Sequence, residues 1–340
     1  MATIASTSVV ALDAVKNIRE DLGNVIFNVT PFMTPFTSGI SQARATADTH
    51  EWLTDSYEDA VDTNAAIEAQ AATAPLTGVP GTTRVRLGNF IQIADKTVTV
   101  TKKAEFMDRA GIPGKEMAYQ LMKLGKELQM DVEKQTLGCY GAPATKSQGT
   151  AGAAGISGAF GSYLVTNQEA NGGVANPGNA AGVGDGSTVP TIAGANTALT
   201  QANMDDLLDG VWDNSGDINS AKIMASAGTV ASLRNTLKGM ANNVDSNLNG
   251  NSTSGGNIIS RVAVYVSQFG PIAVVPNKHM PAKTLYVVDY STWGLAFAGG
   301  KKIHTTDIAT QTSAEQKLLE CYYTLEARSE EANAAYYNIA

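Results

Sequence analysis

Cysteine is almost missing from this chain. Only Cys139 and Cys321 occur, far apart and in no CxxC spacing. Neither a disulfide framework nor a thiolate metal site can be built from them, and buried free thiols in a reducing, cytoplasmic setting are expected. Histidine is as scarce: His50, His279 and His304 lie in separate segments, and His50-Glu51 runs into Trp52-Leu53-Thr54 instead of closing an HExxH. No metal ligand set is expected. Charged residues make up only 16% and lean acidic, with a formal net charge of −8. A protein that gripped nucleic acid by neutralising phosphates would carry the opposite balance. No apolar run reaches the ~18 residues that span a bilayer, so no membrane partner is expected. The opening MATIASTSVVALDAVKNIRE has neither the basic start nor the apolar block of a signal peptide.

Motifs for chemistry are missing too. The glycine tract Gly182-Val183-Gly184-Asp185-Gly186-Ser187-Thr188 carries no lysine to cradle a phosphate. There is no GxSxG elbow and no cysteine beside a histidine. The acidic pairs Asp205-Asp206 and Glu330-Glu331 suit helix ends and solvated faces better than acid–base catalysis. The sequence therefore offers no catalytic residue and no cofactor site.

What is present is organised around one stretch, Gly111 to Gly138. Met117, Leu121, Leu124, Leu128 and Val132 recur at helical steps, and Lys123–Glu127 and Asp131–Lys134 support the exposed face. Pro113 suits a first turn and Gly138 a stop. The spacing predicts a helix roughly 35–40 Å long, which needs a sheet or loop laid along it.

Before it, residues 1–46 carry little pattern beyond an amphipathic piece at Leu12–Leu22. Thr30-Pro31-Phe32-Met33-Thr34-Pro35-Phe36 holds two Pro-Phe pairs, and the residue before each proline is driven to extended geometry. Such an arm must lie on another surface, of its own molecule or a neighbour. His50-Glu51-Trp52-Leu53-Thr54 alternates as a strand. Thr83–Leu87, Phe90–Ile93 and Lys96–Thr101 alternate again after an Ala-, Pro- and Gly-rich tip. These runs read as one long two-stranded hairpin, marginal alone in water. Arg84 and Arg86 make either a binding face or simply an exposed strand face.

After the helix, residues 142–199 are Gly, Ala, Thr, Ser and Asn with one small apolar cluster at Phe160, Tyr163, Leu164 and Val165. A long insertion or mobile loop is expected there. Met204–Trp212 reads as a helix with acidic residues in its first turn, Lys222–Ala225 as a strand, and Ala227–Met240 as a second helix. A polar tract spans 241–257. Strands follow at Arg261–Val266, Ile272–Pro276, Leu285–Asp289, Leu295–Phe297, Leu318–Ala327 and Ala332–Ile339. The fold class is α+β.

In this order, Pro31-Phe-Met-Thr-Pro-Phe, His50-Glu-Trp-Leu-Thr-Asp, Asn89-Phe-Ile-Gln-Ile and Glu127-Leu-Gln-Met-Asp-Val-Glu resemble the start of a tailed-bacteriophage major capsid protein. Val274-Val-Pro-Asn-Lys-His-Met-Pro, Leu285-Tyr-Val-Val-Asp and Tyr323-Thr-Leu-Glu-Ala-Arg-Ser-Glu-Glu-Ala resemble its later half. The likeness covers nearly the whole chain except 142–199. It implies an N-terminal arm (1–46), an E-loop hairpin (47–103), a spine helix of the peripheral domain (104–141) and an α/β axial domain (200–300). The strands of 301–340 would return to the peripheral domain and end in the axial one, with 142–199 an inserted loop. It also implies hexamers and pentamers in an icosahedral virion shell, assembled in the host cytoplasm. Portal, scaffolding and decoration proteins would be partners, and enclosed genomic DNA would be held without sequence-specific binding. Interface residues would be Pro31, Phe32, Pro35 and Phe36 of the arm and Trp52 at the hairpin root. Arg84 and Arg86 would meet Glu127 or Glu133 of a neighbouring spine. A cellular nanocompartment shell of the same fold is the nearest alternative. An α+β enzyme or surface-layer protein is the next.

Overall fold

The structure, a computed structural model, describes residues 33–57, 62, 84–107, 114–138, 144–170, 172–180, 182–215, 217–218, 220–241, 264–309 and 312–340. Pro31, Phe32, the 12–22 piece, most of the hairpin tip, Cys139 and nearly all of the 241–257 tract lie outside them.

The chain starts with α1 (Pro35–Gly39), β1 (Ser41–Ala45), β2 (Thr49–Thr54), β3 (Val85–Phe90) and β4 (Gln92–Thr101). Next come α2 (Lys102–Phe106), α3 (Glu116–Leu137), α4 (Phe160–Tyr163), β5 (Gln168–Ala170), β6 (Val174–Ala175) and β7 (Thr191–Ile192). The second half holds α5 (Gln201–Ser215), β8 (Ala221–Ala225), α6 (Ala227–Ala241), β9 (Val264–Ser267), β10 (Gly270–Pro276) and β11 (Leu285–Asp289). It closes with β12 (Trp293–Ala298), β13 (His304–Ile308), β14 (Ala314–Ala327) and β15 (Ala334–Tyr337).

The long β14 is the axis of a five-stranded sheet. β4 pairs along one side of it, β12 and β13 share the other, and β1 runs parallel beyond β12. Against this sheet lies α3, a 22-residue rod of about 33 Å. Its buried stripe of Met117, Leu128, Val132 and Leu137 joins Val98 and Val100 of β4 and Leu319, Cys321, Tyr323 and Leu325 of β14. The rod stops at Gly138, whose φ of 80° suits glycine and whose N–H bonds the Lys134 carbonyl. Burial pushes the Cys321 thiol up to about 12, so it stays protonated and inert.

A six-stranded mixed sheet runs β5-β15-β11-β8-β10-β9. One face, with Ile223, Tyr265, Ile272, Val287 and Tyr336, is covered by Met204, Leu207, Leu208 and Val211 of α5 and Leu233 of α6. Alternate residues, Met224, Tyr286, Val288 and Tyr337, turn to the other face and enter the core shared with α3 and α4.

Four expectations change. Lys96–Thr101 belongs not to the hairpin but to β4, paired with β14 from Thr101↔Ala314 to Gln92↔Tyr323. Val98 and Val100 need a buried face, which a free ribbon lacks and β14 supplies. The hairpin proper is the two-stranded β2–β3. Residues 144–199 are no loose insertion: Phe160, Tyr163 and Leu164 are fully buried, β5 joins the six-stranded sheet, and side chains satisfy the turns. Asn176 Nδ2, for example, donates to the Leu164 carbonyl at 2.5 Å. Gly184 passes so close that a Cβ there would lie 1.8 Å from the Tyr163 carbonyl oxygen. The apolar cluster was visible, but the low average hydrophobicity around it outweighed the three side chains that anchor the segment. Helix α5 begins at Gln201, so Asp205 and Asp206 fall after its first turn. Finally β12, within the 200–300 span, pairs with β14 of the five-stranded sheet.

Candidate subunit-assembly site

The arm root and the hairpin root are built differently. At the arm root, Pro35 opens α1, where a missing N–H costs nothing. Thr34 gives no side-chain cap, so the next two N–H groups need another acceptor. Glu133 of α3 supplies it: Phe36 N–H donates to Oε1 at 2.9 Å and Thr37 N–H to Oε2 at 2.7 Å. Asn277, just past β10, donates Nδ2 to the same Oε1 at 2.7 Å. The Phe36 ring meets Phe160 edge-on at 5.9 Å and Trp293 at 6.3 Å.

The hairpin alternates cleanly. His50, Trp52, Leu87 and Asn89 share the inward face by register, while Glu51, Leu53, Asp55, Arg84 and Arg86 share the outward one. Trp52 is 9% exposed, donates Nε1 to the Ala327 carbonyl at 2.5 Å and packs on Tyr163. Asn89 Nδ2 donates to the Leu325 carbonyl at 2.8 Å, and its Oδ1 accepts from Gly158 N–H at 2.8 Å. His50 lies 3.5 Å from Glu326, which also takes Arg328 at 3.1 Å. The His50 contact, then Arg328, hold the Glu326 carboxyl down at about 2 from an ordinary 4.5, against the burial that would raise it. Outside, Arg84 pairs with Asp55 at 3.0 Å and Arg86 with Glu51. Leu53 is 72% exposed and Tyr57 fully so.

The expected interface residues lie as follows in the single chain. Pro31 and Phe32 lie outside the described residues. Phe36 and Glu133 are fully buried in their own subunit, so neither is available to a neighbour while the arm root is docked. Glu127 takes Lys96 of β4 at 3.5 Å, and the same ammonium meets Asp131 at 2.8 Å. Arg84 and Arg86 have partners on the hairpin itself. The inward role of Glu133 was signalled by helical spacing, which sets it beside the buried Val132, Thr136 and Leu137. Asn277 and the carbonyls of Leu325 and Ala327 gave no signal, because backbone acceptors and loop amides have no pattern.

No cluster of His, Cys, Asp and Glu among the described residues could hold a metal. No described helix is long and apolar enough to cross a membrane. A model of the SU10 major capsid protein family matches residues 3–340, running through the 142–199 stretch as well. The chain belongs to the SU10 major capsid protein family. It is a structural subunit of a phage capsid shell and not an enzyme.

Solved structures share the fold of this capsid subunit over its full length. The cyanophage A-1(L) capsid is 11% identical over 97% of this chain and 99% of that one, with a TM-score of 0.59. The capsid of a native GTA particle is 13% identical over 99% and 100%, at 0.58. An encapsulin of Synechococcus elongatus is 11% identical over 98% and 96%, at 0.55. At these identities the likeness establishes the fold alone. No curated protein matches the sequence.

Proposed function

We propose that this capsid subunit assembles as hexamers and pentamers into an icosahedral shell enclosing packaged double-stranded DNA, and that assembly takes place in the host cytoplasm. Portal, scaffolding and decoration proteins are its further partners. The arm ends near residue 46, the E-loop is the hairpin closed by β2 and β3, and α3 is the spine of a peripheral domain built on the five-stranded sheet. The six-stranded sheet forms the axial domain, joined by the 144–199 segment and the final strand.

The observation that carries this reading is the hairpin. Among the described residues it has two strands and no third, its inward face is held to the body through Trp52 and Asn89, and its outward face holds Leu53 and Tyr57 out in solvent. Such a ribbon gains its order from contact with a neighbour. Its outward pairs, Arg84–Asp55 and Arg86–Glu51, keep the strands in register and leave Leu53 as the apolar contact. The net charge of −8 fits an inner wall that does not hold DNA tightly.

Electron microscopy of the purified protein tests this: closed shells are expected, and a protein that stays monomeric at every concentration would refute it. The shared fold with an encapsulin keeps a cargo-holding compartment as the second reading. Nucleic acid inside particles isolated from infected cells separates the two.

A further inference from the structure

Among the described residues, one end of the six-stranded sheet is covered on one face only. Tyr265 of β9 points toward α5, where its hydroxyl donates to Asp205 at 3.3 Å, and its register partner Ile272 is buried beside it. By strand alternation the residues between them face the opposite way. These form two cross-strand pairs, Val264↔Ala273 and Val266↔Pro271, and all four side chains are exposed, Val266 by 70%. Four adjacent apolar side chains on a bare face of an edge hairpin form a patch, unlike single exposed apolar residues.

The α5 side of the same hairpin carries a second exposed apolar feature. Trp212 of α5 is 44% exposed and stacks on Phe269 of the β9–β10 turn, with centroids 5.1 Å apart. The two patches thus lie on opposite sides of one thin module. Their borders differ in charge. Asp213 adjoins Trp212, and Lys222, the register partner of Ala273, borders the bare face.

We infer that the Val264/Val266/Pro271/Ala273 face of one copy seats the Trp212/Phe269 corner of the next. This rests on the self-assembly reading above. Two different patches on opposite sides make a head-to-tail contact, the kind that closes into rings, whereas one self-complementary patch would make pairs. The stacked indole is a rigid, large anchor of the type that dominates interfaces, and the Asp213 and Lys222 borders set the approach.

The test is the double variant Val266→Cys with Trp212→Cys, on a Cys139→Ser background also used for the single variant, oxidised after assembly; the other native thiol, Cys321, is buried. A ladder of covalent multimers running up to ring size supports the contact. Dimers from Val266→Cys alone would show a self-complementary patch and overturn it. Normal shells with no covalent multimers would also overturn it while leaving the shell function standing. Absence of shells from the unaltered protein would instead overturn that function. Should the double variant not assemble, Val266→Asp decides. Shell yield lowered by about tenfold or more at unchanged subunit melting supports the inference, since a carboxylate cannot be buried unpaired. Shells at the normal yield would end it.

Discussion

Glu133→Gln is the sharpest probe of how the arm is held. The carboxylate accepts three donors, two of them in fully buried bonds, those from Phe36 N–H and Asn277 Nδ2. Glutamine keeps the shape and can still accept both through Oε1. Its amide nitrogen then faces the Thr37 N–H, which the wild-type Oε2 accepts at 2.7 Å, so two donors oppose each other. Losing one charge-assisted bond and orphaning its donor costs about 1–3 kcal/mol. Because α1 has only five residues, the loss is met by local opening of the arm root, not by unfolding of the body. Hydrogen exchange followed by mass spectrometry should show the Phe36 and Thr37 amides exchanging about tenfold faster or more, with α3 unchanged. Trypsin should cut at Arg44 sooner. Glu133→Ala, which orphans all three donors, should go further in the same direction. Wild-type exchange at Phe36 in both variants would show that Glu133 does not cap α1, and the account of the arm root would fall.

Trp52→Ala removes the bond to Ala327 and the packing on Tyr163, at a cost of about 3–5 kcal/mol; proteolysis should begin in the hairpin while the melting of the body changes little. Glu326, with its folded pKa near 2 against 4.5 unfolded, adds stability that is complete above about pH 5 and is lost as pH falls from there through 2. Urea midpoints measured from pH 6 to pH 2 should therefore fall less steeply for Glu326→Gln than for the unaltered chain. Arg84→Glu breaks an exposed pair worth under about 1 kcal/mol, so subunit melting should hold while shell yield drops; unchanged yield would remove the outward hairpin face from assembly. Phe160→Ala, costing about 3–5 kcal/mol, should expose the arm root and hairpin root to protease together, as a limited-digestion time course would show.

The sequence made some of this legible and hid the rest for physical reasons. The α3 stripe is periodic over six turns, so both its existence and its buried face could be read. Strand alternation located β2, β3, β11 and β14, because each has one face in and one face out or is apolar throughout. Partner choice was not readable: β4 alternates like a hairpin strand, and only the tertiary structure shows it on β14. The 144–199 segment was misjudged because its burial is concentrated in Phe160, Tyr163 and Leu164, while composition averages over a window. β13 escaped because most of its residues are exposed, leaving no apolar pattern. At the assembly site, Trp52 was identifiable as a lone large aromatic in an alternating polar strand. The capping role of Glu133 needed the arm to be in place first.

The arm root and the hairpin root share a foundation. Phe36 at the arm root touches Trp293; Trp293 meets Tyr163 edge-on at 6.4 Å; Tyr163 packs on Trp52 at the hairpin root, 6.1 Å away. Phe160 packs, tilted, with its ring centroid 4.5 Å from both Trp293 of the five-stranded sheet and Tyr286 of the six-stranded one. Trp293 is fixed in turn through its Nε1, which donates to buried Asn333 at 2.9 Å. Packed interiors have little slack and transmit displacement instead of absorbing it. The arm root and the hairpin root are therefore referred to one packed origin, and a shift of either root presses on rings that support the other. A closed shell repeats the same contacts many times, so an angular error at one root would accumulate around the surface. A common aromatic footing at the junction of the two sheets, part of it supplied by Phe160 and Tyr163, would limit that error at its source.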